Sequence, residues 1–132
     1  MDRVVRAATP AIAALVTAGV SHEVFQFHHD PRRDSFGEEA VAELVRVHGV
    51  DPQQVLKTLV IALPKGLGVA VLPVPAKLSL KAAAAALGVA KATMAERAAA
   101  ERTGYVLGGI SPLGQRRPLP TVVDASALRW DR

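Results

Sequence analysis

Residues 55–74 read VLKTLVIALPKGLGVAVLPV. Two almost unbroken apolar runs, 55–63 and 67–74, meet at Pro64-Lys65-Gly66. Each run has strand length, is rich in Val and Leu, and is punctuated by proline or glycine, while Pro-Lys-Gly is turn chemistry. An antiparallel hairpin is expected. A strand that is apolar on both faces belongs inside a sheet rather than at its rim, so Val55–Leu63 should be central.

Working outward, helices flank this hairpin. Ser79 is placed to cap a helix over Leu80–Leu87 that Gly88 ends, and Asp51-Pro52 starts a short helical turn. Upstream, Phe36–His48 puts Val41, Leu44, Val45 and His48 on one helical face, with Gly49 after its end. Thr9 caps a further helix, with Pro10 at its first position and Gly19 beyond it. SHEVFQFH, Ser21–His28, alternates and is expected to be a strand, and Met94–Arg102 a short helix. Val106–Leu107 and Thr121–Val123 are strand-like and bracket a glycine loop. A hairpin among irregularly spaced helices indicates an α+β fold in a single domain, not a βαβ series.

The chain has 132 residues, half of them hydrophobic, which suits one domain with a real core. Much of the apolar content is alanine, so thin, closely packed helices are expected. There is no cysteine, which removes disulfides, thiolate metal sites and cysteine nucleophiles. The N-terminal arginines and apolar residues imitate a signal peptide, but Thr9-Pro10 splits them, and a cytoplasmic protein is expected. The net charge of +4 favours polyanionic partners. Aromatic residues are too scarce for a broad base-stacking platform, although one terminal nucleotide could still be held.

Candidate chemistry begins in the loop TGYVLGGISPLGQRR, residues 103–117. Gly108 and Gly109 lack Cβ, so the backbone there can expose several N–H groups to an anion or a developing oxyanion. The plain alternative is a tight turn before a basic surface. Ser111 precedes a proline and lies in no G-x-S-x-G elbow, so it suits a turn better than a nucleophile. Lys57 stands in an apolar strand, either snorkelling to an edge or projecting into a cavity where it would meet a phosphate, carboxylate or ester. Thr58 should point to the opposite face. Arg32-Arg33 and Arg116-Arg117 are basic loop pairs, read either as surface charge or as phosphate contacts. The adjacent His28 and His29 point apart on a strand and make a poor chelate, so no metal is expected.

Taken in order, TPAIAAL, HDPRRDSFGEEAV, DPQQVLKTLV, LSLKAAAAALG and ERTGYVLGGISPLGQRRPLPTVVD resemble the YbaK family. These are the Cys-tRNA(Pro) deacylases, related to the editing domain of bacterial prolyl-tRNA synthetase. The match runs from about Thr9 to Asp124. The resemblance implies a curved mixed β-sheet with surrounding helices and a pocket for the aminoacylated 3′ end of a tRNA. It also implies hydrolytic loss of a mischarged amino acid, with no metal or cofactor. GGISP looks like the cysteine-directed branch, where alanine-directed relatives carry a GSVTP-like segment.

By the same resemblance, Lys57 anchors the terminal adenosine or its phosphate, and the backbone of Gly108, Gly109 and Ile110 receives the ester carbonyl. Phe27, Ser35, Phe36, Thr58, Ser111 and Pro112 form the pocket wall, with Phe27 where the family often has tyrosine. Arg32, Arg33, Arg116 and Arg117 are the expected tRNA contacts. Family members also run on through a strand, an SGGKRGL-like loop and a final helix. This chain is expected to lack those parts, and therefore to dimerise through an open sheet edge.

Three functions compete on these grounds. The first is a trans-editing deacylase, with prolyl-tRNA synthetase as a candidate partner, in which a cysteinyl thiol attacks its own ester. The second is a non-catalytic tRNA- or synthetase-binding module of the same descent. The third is a basic nucleic-acid-binding domain without chemistry.

Overall fold

The computed structural model describes residues 9–25, 36–96, 111–115 and 118–131. The hairpin is present and central. Strand β1 (Leu56–Leu63) pairs antiparallel with β2 (Gly66–Pro73), in a register that sets Lys57 opposite Leu72 and Ile61 opposite Gly68. Both strands fall within one residue of expectation. Strand β3 (Thr93–Met94) adds antiparallel to β1, and β4 (Thr121–Val123) adds parallel to β2. Among the described residues the order is β3-β1-β2-β4, a mixed sheet with the hairpin inside.

Among the described residues, three α-helices accompany it: α1 (Pro10–Ala18), α2 (Phe36–His48) and α3 (Leu80–Leu87). Their ends follow the expected chemistry. The hydroxyl of Thr9 accepts from Ile12 N–H at 3.2 Å, and that of Ser79 accepts from Ala82 N–H at 3.1 Å. In α2, Glu38 and Glu39 sit in the first turn and Arg46 and His48 in the last, complementing the helix dipole. The helical turn Pro52–Gln54 is capped by Asp51, whose carboxylate accepts from Gln53 N–H at 2.8 Å.

The core on one face of the sheet joins Ile61, Ala83, Ala84 and Ala92, with Leu63, Leu78, Leu80, Leu87, Val89 and Val122 packed against it. Alanines on the inner side of α3 let the helix approach the sheet closely, as the composition suggested. Strand parity puts Leu59 and Ile61 on this α3 side, and Val60, Val69 and Val71 on the other. Ile61 and Val69 are fully buried, one on each face, each contributing roughly 1.5–3 kcal/mol of transfer free energy. The sheet therefore carries core on both sides, which is why its central strands read as continuous apolar runs. The α+β architecture is as expected.

Two segments depart from the sequence reading. Ser21–Phe25 forms no strand. Instead the Phe25 ring packs on His48 at the end of α2, with ring centroids 4.1 Å apart, and His22 Nδ1 lies 2.7 Å from the Val20 carbonyl. Alternation was present, but a ring contact took the place of a ladder. Met94 is not helical either. Thr93–Met94 pairs with Ile61–Ala62, and Ala95 N–H donates to Val60 O at 3.2 Å. The free edge of β1 offered backbone partners that outweigh a short segment's helical preference. Ala95 and Glu96 are likewise not helical, while residues 26–28, 97–102 and 106–107 lie outside the described residues.

Candidate active site

Lys57 lies at the start of β1, half-buried, on the side of the sheet that α3 covers. Its Nζ donates to the Ala76 carbonyl at 2.7 Å. That carbonyl belongs to the tight turn leaving β2, closed by Ala76 N–H to Pro73 O at 2.9 Å and steadied by Val74 N–H to Val55 O at 2.8 Å. The side chain is thus aimed by a backbone acceptor 19 residues away, and one of its three ammonium hydrogens is used in the process. Lys57 is a half-buried cation on a backbone carbonyl beside the β2–α3 connection. Thr58, opposite Val71, falls on the other face of the sheet. The two adjacent site candidates are therefore separated by the sheet itself.

The described end of the glycine loop, residues 111–115, is held at both sides. Ser111 Oγ accepts from Leu113 N–H at 3.1 Å, a side-chain turn of the kind a Ser-Pro pair favours. Gly114 has φ +67°, and a Cβ there would stand 2.2 Å from the Pro10 carbonyl oxygen and 2.9 Å from Ala11 N. Only glycine lets the loop lie against the first turn of α1. Gln115 then fastens the exit: its Oε1 accepts from Leu119 N–H at 2.6 Å, and Thr121 Oγ1 donates to Leu119 O at 2.9 Å. Beyond it, Pro120 O accepts from Val69 N–H at 2.8 Å and leads directly into β4. This junction also presses on Gly68, where a Cβ would lie 3.2 Å from Pro120 O and 3.0 Å from Leu63 Cδ1.

The loop is thus referenced to α1 on one side and to the hairpin that carries Lys57 on the other. No hydrogen bond joins Lys57 to Ser111 among the described residues. Ser111 and Pro112 are half-buried, and Phe36 opens α2. Gly108, Gly109, Ile110, Phe27, Ser35, Arg32, Arg33, Arg116 and Arg117 lie outside the described residues. Sequence reasoning missed the Ala76 carbonyl, Gly114 as the seat on α1, and Gln115 as the clamp. The Pro-x-Pro after β2 and the third glycine of the loop were the only signals for the first two.

After β4, the Asp124 carboxylate caps a short 3-10 helix (Ala125–Arg129), accepting from Ser126 N–H at 3.1 Å and from the Ser126 hydroxyl. The Ser126 hydroxyl, then its N–H, hold the Asp124 carboxyl below its ordinary range, with a smaller contribution from Arg129.

Comparison with known families settles where this arrangement belongs. The model of the aminoacyl-tRNA editing domain matches residues 37–131, which include the hairpin, α3 and the glycine loop. The chain belongs to the aminoacyl-tRNA editing domain family. Among editing-domain relatives, "Putative Cys-tRNA(Pro)/Cys-tRNA(Cys) deacylase EbsC" of Enterococcus faecalis is 36% identical over 99 residues, covering 74% of this chain and 58% of that protein. The chain therefore spans less than two thirds of that relative's length. A crystal structure described as "a putative trans-editing enzyme for prolyl tRNA synthetase" superposes with TM-score 0.72 at 25% identity, over 92% of this chain and 73% of that one. The structure of "hypothetical protein APE2540" shares the fold, with TM-score 0.74 at 21% identity, over 92% and 77% of the two chains. The YbaK-type resemblance is borne out. No helix among the described residues is long and apolar enough to cross a membrane.

Proposed function

We propose that this chain is a trans-editing aminoacyl-tRNA deacylase that removes a mischarged small amino acid, cysteine foremost, from tRNA(Pro). The observation that carries the reading is Lys57: a cation held by Ala76 O at 2.7 Å, partly enclosed, in a chain whose editing-family match spans it. A directed ammonium of this kind suits the phosphate or ribose of a terminal adenosine. The loop that ends at Gly114 supplies the opposite wall, with the backbone of Gly108, Gly109 and Ile110 as donors to the ester oxygen. Such donors contribute about 3–4 kcal/mol to lowering the barrier. Phe27, Ser35, Phe36, Ser111 and Pro112 complete the pocket in this reading, Thr58 being left out because it lies on the other face of the sheet from Lys57, and the cytoplasm is the place of action.

The chemistry asks little of the protein. The substrate's own thiol attacks the ester carbonyl, forming a C–S bond as the C–O bond to the ribose breaks. The thiol proton passes to the departing ribose oxygen, and water later opens the thiolactone in solution. Binding contributes orientation, which favours intramolecular attack strongly.

The test is deacylation of Cys-tRNA(Pro), with Ala-tRNA(Pro) and 2-aminobutyryl-tRNA(Pro) in parallel. Loss of cysteine alone supports the reading, because aminobutyrate has a methyl where the thiol would be. Equal loss of cysteine and aminobutyrate replaces the thiol by water as nucleophile. Loss of none, by a chain that binds the tRNA, makes it a binding module.

A further inference from the structure

The protein's positive charge is not spread over the chain. Between Asp51 and Glu96 there is no acidic residue and no arginine, yet five lysines: Lys57, Lys65, Lys77, Lys81 and Lys91. The whole chain has sixteen Lys and Arg against twelve Asp and Glu, so the rest holds eleven against twelve. The hairpin–α3–β3 unit therefore accounts for the whole positive balance.

The structure brings two of these lysines to one groove at α3, with a third in the connection that leads into the helix. Lys81 and Lys91 both line an open groove of about 410 Å³ between α3 and residues 89–92, floored by Ala84, Ala85 and Val89. Lys77 is exposed and follows Ala76, the residue whose carbonyl holds Lys57. Among the described residues, none of the three lysines has an acidic partner within 4.0 Å; the ion pair there is Arg46 with Glu43 on α2. Lys81 also stands in the first turn of α3, which carries no acidic residue. A cation at the positive end of a helix opposes the dipole and costs local stability. The arrangement is poor for the free protein and good for an anion.

We propose that this lysine face of α3 docks the sugar-phosphate backbone of the acceptor stem whose 3′ end reaches Lys57. The proposal rests on the deacylase reading above. Small alanines let a rigid duplex backbone come close to the helix, and lysines act as unforked point charges. Contacts of this type position a nucleic acid without reading its bases. The outer face of α3 has no aromatic or large apolar side chain to insert into a lipid surface.

The probe is uncharged tRNA(Pro), titrated by fluorescence anisotropy between about 50 and about 200 mM salt, with single-turnover deacylation of Cys-tRNA(Pro) alongside. The variant Lys77→Gln/Lys81→Gln/Lys91→Gln should bind at least tenfold more weakly at the low-salt end, an order-of-magnitude expectation. Its log–log salt slope should be shallower by about two to three, near 0.9 per lost phosphate contact. Its single-turnover rate at saturating protein should stay at the wild-type value, and the triple Lys→Arg variant should restore the slope. Arg46→Gln, on α2, should leave the slope unchanged.

A triple Gln variant with the wild-type slope overturns the proposal. So does an Arg46→Gln loss as large per charge, which would mark a general effect of net charge. A wild-type chain that binds tRNA but deacylates nothing sinks the deacylase reading alone, and the slope comparison still decides the docking face. A wild-type chain that binds no tRNA overturns both.

Discussion

At the scale of the residue, Lys57 ties structure to proposed chemistry most directly. In the proposed site, replacing it by Ala would remove a charge-assisted contact to substrate, worth about 1.5–3 kcal/mol. Single-turnover deacylation should fall by roughly 10- to 100-fold. Folding should also lose up to about 1.5–3 kcal/mol, since the bond to Ala76 O has a charged donor as well. Lys57→Arg keeps the charge, but a planar guanidinium does not fit the same single acceptor, and only part of the rate should return. An Ala variant with the wild-type single-turnover rate removes Lys57 from the site. Asp124 offers a test by pH. Its folded-state carboxyl is depressed by Ser126, so its contribution is present above the ordinary value of about 3.9 and is lost as pH falls through the lowered value. The stability gap between wild type and Asp124→Ala should therefore shrink steadily below about pH 4 in urea titrations. A gap that is flat with pH would mean that the carboxylate makes no such bond in solution.

At the scale of the element, what could be read from the sequence was what is local. Thr9-Pro10, Ser79 and Gly88 marked helix ends because a cap needs only neighbours within four residues. The hairpin was legible because its turn joins adjacent runs. Ser21–Phe25 and Met94 were misread because their partners, His48 and the edge of β1, come from elsewhere in the chain. The site divides in the same way. Lys57 announced itself as a cation in an apolar run, whereas the carbonyl that aims it and the seat of Gly114 on α1 are long-range backbone contacts, and Pro73-Val74-Pro75 and the loop's third glycine marked turns without marking their partners. That seat predicts a severe defect. Gly114→Ala must place a Cβ 2.2 Å from Pro10 O, backbone against side chain, and must also hold φ +67° at roughly 1–2 kcal/mol. The total loss should exceed about 2 kcal/mol, at the upper end of ordinary substitutions. Exchange of the Ala13 amide, which donates to Thr9 O at 3.0 Å, should quicken as the first turn of α1 is displaced. A Gly114→Ala chain with unchanged urea midpoint would show that the loop does not rest on α1.

At the scale of the whole molecule, the sheet order explains how distant segments meet. The hairpin takes the middle, residues just after α3 join one side as β3, and the segment after the glycine loop joins the other as β4. The loop's exit is thereby carried to β2, the partner strand of the one bearing Lys57. This parallel pairing of β2 with β4 has no turn signature, so the sequence showed the two strands but not their adjacency. Charge follows the same geography. The central unit is positive, and the peripheral segments are nearly balanced. If that asymmetry serves encounter with a polyanion and not the reaction itself, salt should separate the two. For Cys-tRNA(Pro), kcat/KM should fall linearly on a log–log plot as salt rises, because released counterions weaken association. Over the same range kcat should stay nearly constant, since in the proposed complex the reacting ester is already bound. A parallel fall in both would place the decisive charges at the reacting atoms, and the lysines around α3 would then be acting on chemistry instead of on docking.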